Sequence, residues 1–595
     1  MKKSSVIYGL VRFRYELKQR LGPRTLLVVL SAIIGILGAT AAIIIKNLLY
    51  ITTQTVNSTF ADQSVNFLNL IFPPIGIILT LIFVRRVVKD NISHGVSIVL
   101  KSICKSDGKL RFHNIYSSMV ASTLTVGFGG SVGLEAPMVL TGSAIGSNVG
   151  RLFRLNPKQT TLLLACGSTA AMAAIFKAPL AAIVFTFEVL MLDLTGASLL
   201  PLLVSAAVGT VMSMLFLGRN VMFNIDGIQT FAISNIPFYL ALGVITGLLS
   251  VYFLRASRWV DRQMQRIKRP YIKALTGGLL LCVLIYFFPV FFGEGYENIN
   301  LLLNGEYSSL FGNSLLGKLC DNPVVFLFGI AGIILLKVFA TSLTTSAGGI
   351  GGVFAPTLFV GAFTGFFVAA VSHHLFGVNL PYVNFILAGM AGVMTGVMLA
   401  PMTAMFLIAE ISGGYTLLLP LMITAACSFI CVRPFEKYSV YTKPLADKGN
   451  LKTHDKNRFA LKKLDWRKTI DRDIQTIPAH STLRTYVQTI AHSKRNLFVV
   501  VKDQNIFDGL LVMDDHRETI FNQNLYDKVH VEDLMIQPEE FIYDDDPAIV
   551  VLEKFNRTGN FNMPVIRRDK SYIGFLSKAR FLARYQRFVA ADSED

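Results

Sequence analysis

Up to about residue 431 the chain alternates long stretches that have almost no polar position with short joints carrying Lys, Arg, Gly and Pro. The runs "TLLVVLSAIIGILGATAAIII" (25–45), "LNLIFPPIGIILTLIFV" (68–84), "NIPFYLALGVITGLLSVYFL" (235–254), "LTGGLLLCVLIYFFPVFF" (275–292) and "PVVFLFGIAGIILLKVFA" (323–340) each predict a membrane-crossing helix. About 20 predominantly apolar residues are enough to span a bilayer. So many such runs predict a polytopic α-helical membrane protein and do not suit a single signal peptide. Beyond residue 434 the pattern shortens to strand- and helix-length segments with ordinary polarity, the mark of a soluble α/β region.

The apolar part repeats itself. "GSVGLEAPMVLTG" (130–142) lies over "GIGGVFAPTLFVG" (349–361) at an offset of 219, matching Gly130, Gly133, Ala136, Pro137 and Gly142 with Gly349, Gly352, Ala355, Pro356 and Gly361. Further on, "APLAAIVFTFE" (178–188) lies over "APMTAMFLIAE" (400–410) at an offset of 222. Two motif pairs in one order and at nearly one spacing predict two related halves, about 25–217 and 233–434. In membrane transporters such halves are often inverted, with broken helices meeting near the midplane. Gly and Pro supply the breaks. A helix that begins at that depth presents free N–H groups and the positive end of its dipole, and one such start from each half makes an anion site. The plainer alternative is that these glycines only let helices pack closely.

Charge adds an orientation and a question. Of the 595 residues, 52% are hydrophobic and 16% charged. Seven Lys/Arg and one Glu precede the first span, so residues 1–24 are expected to be cytoplasmic. The net charge of +18 reads as membrane-flanking residues, and no nucleic-acid partner is expected. Cys104, Cys166, Cys282, Cys320, Cys427 and Cys431 lack metal-ligand spacing and read mostly as small apolar residues, with redox chemistry not expected. The question is Glu135, a carboxylate among Gly, Leu and Ala, since charge at that depth is functional by default.

These motifs carry a resemblance. "GLEAP" (133–137) resembles the Gly-Arg-Glu-Gly-Pro motif of the CLC family of chloride channels and chloride/proton antiporters, and "GGVFAPTLFVGA" (351–362) resembles its Gly-Gly-x-Phe-x-Pro motif. "SHGVS" (93–97) falls where that family has Gly-Ser-Gly-Ile-Pro. The resemblance covers about residues 25–434 and implies a CLC-type inverted repeat, a homodimer, and transmembrane chloride transport. It makes Glu135 the gating glutamate, whose carboxylate occupies the anion site and leaves when protonated. The implied chloride-binding set is the main chain at Gly352, Val353 and Phe354, the His94–Gly95 step, and a tyrosine, Tyr438 in preference to Tyr441. His94 stands in place of the family's serine, while Leu134 and Ala136 replace its Arg and Gly.

Four further positions bear on mechanism. Lys177 reads either as a cation at the pore mouth or as a snorkelling side chain near a helix end. Glu188 and Glu410 occupy matched places, which favours a shared structural role. Family antiporters commonly carry an internal proton-passing glutamate where this chain has Val189, as family channels do. The expectation is therefore channel-like conduction gated by Glu135, with voltage or pH as the gating variable. Chloride/proton exchange is the alternative and an intramembrane enzyme the remote one.

The tail repeats too. "RNLFVVVKDQNIFDGLLVMDD" (495–515) lies over "NFNMPVIRRDKSYIGFLSKAR" (560–580), with Gly509 over Gly574. It resembles a tandem pair of cystathionine-β-synthase-type (CBS) domains, expected at 466–530 and 531–590 after a linker at 435–465. Such pairs often hold adenine nucleotides through a Ser/Thr and an Asp three residues on. Here Val512 with Asp515, and Ser577 with Arg580, each keep half of that pair. No cofactor is expected, and nucleotide binding is expected to be weak or absent. The localisation expected is a multi-pass protein of the plasma membrane with both termini cytoplasmic.

Overall fold

In the computed structural model, which describes residues 21–58, 70–93, 95–192, 196–219, 222, 223, 225, 227–311, 322–447, 461 and 464–594, the chain forms two compact units divided near residue 451. The expectations for the first 20 residues, for His94 and for Cys320 lie outside the described residues.

In the first unit the apolar runs fold as helices. The first half holds α1 (Pro23–Ser58), α2 (Phe72–Phe83), α3 (Gly95–Lys105), α4 (Asn114–Gly127), α5 (Glu135–Leu152), α6 (Pro157–Phe176), α7 (Pro179–Glu188) and α8 (Gly196–Leu217). The second holds α9 (Ile236–Gln265), α10 (Pro270–Phe287), α11 (Tyr296–Leu303), α12 (Pro323–Ser346), α13 (Phe354–Phe376), α14 (Tyr382–Met398), α15 (Pro401–Ile411) and α16 (Leu418–Val432). Proline stands in the first turn of α6, α7, α10, α12 and α15, where its fixed φ and missing N–H fit the geometry. Among the described residues, seven helices are long and apolar enough to cross a membrane. The run expected at 68–84 is not one of them. Paired prolines at 73 and 74 set a late start, so α2 has 12 residues and ends in a π turn over Val84–Val88.

Lipid supplies no hydrophobic force to drive helices together, so close packing of small residues must hold them. The halves solve this identically. A side chain at Gly142 or Gly146 on α5 would collide with the carbonyls of Gly167 or Leu163 on α6. The matched Gly361 and Gly365 on α13 meet the carbonyls of Gly389 and Phe385 on α14 in the same way. These two helix pairs are the most buried, whereas α10 and α12 leave side chains such as Leu279, Val283 and Phe328 exposed on outward faces.

The membrane unit runs past the expected boundary at residue 434. Tyr441 and Leu445, on either side of the start of α17 (Lys443–Ala446), belong to its core, and Glu436 pairs with Arg258 on α9. Contacts made by the chain after its last long helix, which hydropathy cannot see, fix that segment.

In the second unit, β1 (Thr476–Pro478), β2 (Leu497–Lys502) and β3 (Ile506–Val512) form one sheet, and β4 (Ile542–Tyr543), β5 (Asn562–Ile566) and β6 (Tyr572–Ser577) form another. Each sheet pairs its first two strands in parallel across a helix, Leu483–Ala491 or Ala548–Thr558, and its last two antiparallel. Val500 faces Gly509 and Val565 faces Gly574, and an identical irregularity follows each pair. The repeat read from the sequence is therefore structural. One boundary shifts: Leu464 and Trp466 pack in the core of the second sheet, with Trp466 Nε1 donating to the Asp546 carbonyl at 2.9 Å.

Candidate functional site

Two loops of matched sequence meet at one point. Gly133 donates to the Gly352 carbonyl at 3.0 Å and Gly352 to the Gly133 carbonyl at 2.7 Å. The arrangement around them is reciprocal. The Thr125 hydroxyl accepts from Ile350 N–H at 2.9 Å, and its counterpart Thr344 accepts from Ser131 N–H at 3.2 Å. Gly129 and Gly348, at φ of 92° and 112°, turn the chain out of α4 and α12 alike. Contacts in which i meets j and j meets i are those of a two-fold relation.

Just beyond this bridge α5 begins at Glu135 and α13 at Phe354, equivalent first positions with Leu134 and Val353 as N-caps. The start of α3 joins them: a side chain at Gly95 would strike the Ala136 carbonyl, and one at Gly352 would touch Ala136 Cβ at 2.8 Å. Three helix N-termini thus converge. The first N–H groups of a helix have no acceptor within it, and here they share a buried site with the positive ends of three dipoles.

The Glu135 carboxylate lies among them, its residue 1% exposed. Tyr296 O–H donates to Oε1. The backbone N–H groups of Glu135 itself and of Ala355, in the first turn of α13, face the carboxylate, although Oε2 has no hydrogen-bond partner among the described residues. Gly133 is required beside it, because a Cβ there would overlap Oε2. Phe354 is buried, its ring 5.4 Å from that of Phe176 and 6.2 Å from that of Phe185.

Of the two candidate tyrosines, the structure brings Tyr441 to this site. Its ring is buried, its hydroxyl has no hydrogen-bond partner among the described residues, and it feels the Glu135 charge. The Ser97 hydroxyl on α3 fixes its backbone, donating to the Tyr441 carbonyl at 2.9 Å. Tyr438 is half-buried with Lys443 Nζ above its ring at 5.8 Å. The turn at Ser439–Thr442, closed by mutual hydrogen bonds, leaves Tyr441 buried and the preferred Tyr438 half-buried.

Glu188 and Glu410 are engaged elsewhere. Glu188, ending α7, accepts from Met402 and Thr403 N–H at 3.2 and 2.7 Å and from the Thr403 hydroxyl at 2.7 Å. Glu410, near the end of α15, accepts from the matched Leu180 and Ala181 N–H groups at 3.2 and 2.8 Å. Each half caps the other half's helix. Val189 is buried and apolar. Lys177 is the left-handed C-cap of α6 (φ 54°), matched by Leu399 (φ 53°), and its Nζ lies 3.4 Å from the Leu217 carbonyl.

Sequence reading missed a ring of charge around Glu135. Glu294 Oε1 accepts from Leu134 N–H at 3.1 Å. Lys337, fully buried on α12, donates to Ser131 Oγ at 2.9 Å and lies 4.5 Å from the centre of the Phe359 ring. Lys46 on α1 donates to the Ile175 carbonyl at 2.7 Å and interacts electrostatically with Glu135 and Glu294. A lysine inside "GIILLKVFA" was itself a signal, since intramembrane charge is costly and retained for a purpose.

In the tail, Arg580 and Arg495 both bind Asp471, at 3.1 and 2.8 Å. That pair holds the Asp471 carboxyl below its ordinary range, Arg495 contributing most.

The profile described as "Voltage gated chloride channel" matches residues 75–433. Over 358 residues the chain is 28% identical to a ClcB-like chloride channel protein of Ralstonia nicotianae, covering 59% of this chain and 79% of that protein. Against the voltage-gated ClC-type chloride channel ClcB of Escherichia coli the identity is 28% over 347 residues, 58% of this chain and 78% of that one. Among solved structures, a CLC-type fluoride/proton antiporter superposes with a TM-score of 0.58 at 25% identity, covering 70% of this chain and 97% of that chain. A eukaryotic CLC transporter superposes with a TM-score of 0.61 at 16% identity over 93% of this chain and 97% of its own, a likeness of fold.

Proposed function

The chain belongs to the CLC family of voltage-gated chloride channels and transporters, and on that premise we propose that it conducts chloride passively through a pathway gated by Glu135. The observation that carries this reading is the Glu135 carboxylate buried at converging helix N-termini. A halide and a carboxylate compete for the same N–H groups, and protonation ends the carboxylate's claim. Chloride then takes the N–H groups of Val353 and Phe354, with Gly352 and Gly95 shaping the remaining wall and Tyr441 offering a hydroxyl that has no partner among the described residues. Tyr438 has no part. Lys177 draws anions towards the pathway mouth.

Channel-like conduction is favoured over exchange by Val189, which cannot carry a proton, and by Glu188, whose oxygens are held at the start of α15. The second reading, chloride/proton exchange, is favoured by the similar solved structure named as a fluoride/proton antiporter. Chloride and proton fluxes recorded together in liposomes separate the two: a fixed stoichiometry would establish exchange.

We further infer that the protein is a homodimer in the plasma membrane with both termini cytoplasmic. Its C-terminal repeats form a CBS pair of structural or dimerising role. Nucleotide binding is weak or absent, because Val512 with Asp515 and Ser577 with Arg580 each keep only half of the Ser/Thr-and-Asp pair. Micromolar ATP affinity measured calorimetrically on the intact protein would overturn that.

A further inference from the structure

The segment Gly293–Tyr296 has no place yet in the account of the gate. Gly293 and Gly295 adopt φ of 71° and 91°, open to glycine at little cost, and a side chain at Gly295 would also meet the Phe359 ring at 2.6 Å. Gly293 N–H is tied to the Gly129 carbonyl at 3.2 Å, beside the bridge between the halves. The residues that alternate with these glycines both bind the start of α5: Glu294 accepts from Leu134 N–H, and Tyr296 donates to the Glu135 carboxylate. The Tyr296 ring rests on Phe223, with centroids 6.1 Å apart.

We propose that Gly293–Tyr296 is a latch on the gate, in which Tyr296 is the positioning residue that holds the Glu135 carboxylate in the anion pathway and Glu294 anchors the backbone beneath it. The proposal rests on the reading of Glu135 as the gate. Tyr296 donates best to a charged acceptor, since charge-assisted hydrogen bonds are roughly twice as strong as neutral ones. The latch therefore favours the occupied, closed arrangement while Glu135 is ionised and weakens when it gains a proton. The charged and titratable groups facing this point come from four places. They are Lys46 on α1, Lys337 on α12, Glu294 within the segment itself and Tyr441 after α16. None of them donates a hydrogen bond to Glu135 Oε1, so within this set the hold falls to Tyr296.

The test is chloride efflux from liposomes across a pH series for wild type, Tyr296→Phe, Glu135→Gln and the double variant. Phenylalanine keeps the ring on Phe223 and removes only the hydroxyl. Tyr296→Phe should raise flux at neutral pH by roughly tenfold, the equivalent of one net hydrogen bond to a charged group, and flux should persist to higher pH than in wild type. Adding Tyr296→Phe to Glu135→Gln should change nothing, because no carboxylate remains to be held. Glu294→Ala provides a second arm, with the same direction in the wild-type background and the same silence in Glu135→Gln. A Tyr296→Phe profile that overlies wild type while Glu135→Gln alone is open would overturn the latch and leave the gate reading standing. An equal effect in both backgrounds would also overturn it. If Glu135→Gln itself behaves as wild type, the gate reading falls, and the latch with it.

Discussion

Gly133 and Gly352 hydrogen-bond to each other through both their backbone groups, so two residues in equivalent places of the two halves are each other's partner. The pairing brings the broken starts of α5 and α13 side by side, and with them the first N–H groups of both helices. The proposed anion site follows from this relation more than from any one side chain. What each side chain then adds can be tested one at a time.

Glu135→Gln removes the charge that competes for these N–H groups while keeping the side chain's size. Chloride flux into liposomes should rise at neutral pH and lose most of its dependence on pH, whereas wild-type flux should increase as pH falls. Flux in the variant that tracks pH as wild type does would remove Glu135 from the gate.

Val189→Glu should leave chloride flux within about twofold of wild type, and a chloride gradient should still fail to drive protons uphill. A lone carboxylate at a buried apolar position has no chain of proton carriers to join. Uphill proton movement in wild type would defeat the channel reading directly.

Glu188→Ala strips the acceptor from Met402 and Thr403 N–H and from the Thr403 hydroxyl. Leaving the buried Thr403 donors unpaired costs about 1–3 kcal/mol, so thermal unfolding in detergent should shift down. Glu410→Ala should do the same, and because α7 and α15 lean on each other the double variant should lose less than the sum.

Gly146→Ala and Gly365→Ala each place a methyl group against a carbonyl, of Leu163 and of Phe385. Overpacking of this kind costs about 1–3 kcal/mol. Matched positions should respond alike. A loss at one and none at the other would mean that the halves do not share this contact in solution.

In the tail, Asp471 is held below its ordinary range by Arg495 and Arg580. A depressed carboxyl stabilises the fold above its unfolded value and loses that contribution as pH falls through the folded one. Hydrogen exchange of β6, whose Phe575 pairs with Asp471, should therefore quicken below about pH 4, the unfolded range of Asp. Asp471→Asn should abolish that added step. Since both arginines are well exposed, the effect should stay near or below about 1 kcal/mol.

Hydropathy made the membrane class legible, and two constant offsets made the duplication legible. Those offsets extend further than the motifs: Thr125 with Thr344 and Lys177 with Leu399 obey them too. The paired roles of Glu188 and Glu410 could be anticipated because their positions matched. Tyr296 and Glu294 could not, because they reach Glu135 and Leu134 from 161 and 160 residues away through a glycine-shaped loop with no periodicity. The inward tyrosine was missed for a similar reason, since a local turn decides which of two nearby rings is buried.

At the first position of their helices, Glu135 and Phe354 are counterparts, one a carboxylate and the other a phenyl ring. A duplicated scaffold would offer an ion the same welcome from both sides and give it no sense of direction. Placing an acid on one copy and a hydrocarbon on the other divides the labour. In the proposed gate, one half withdraws its reception according to the proton supply, while the other stays receptive through its amides. The polarity of the proposed pathway thus rests on two residues that the internal repeat places in the same seat.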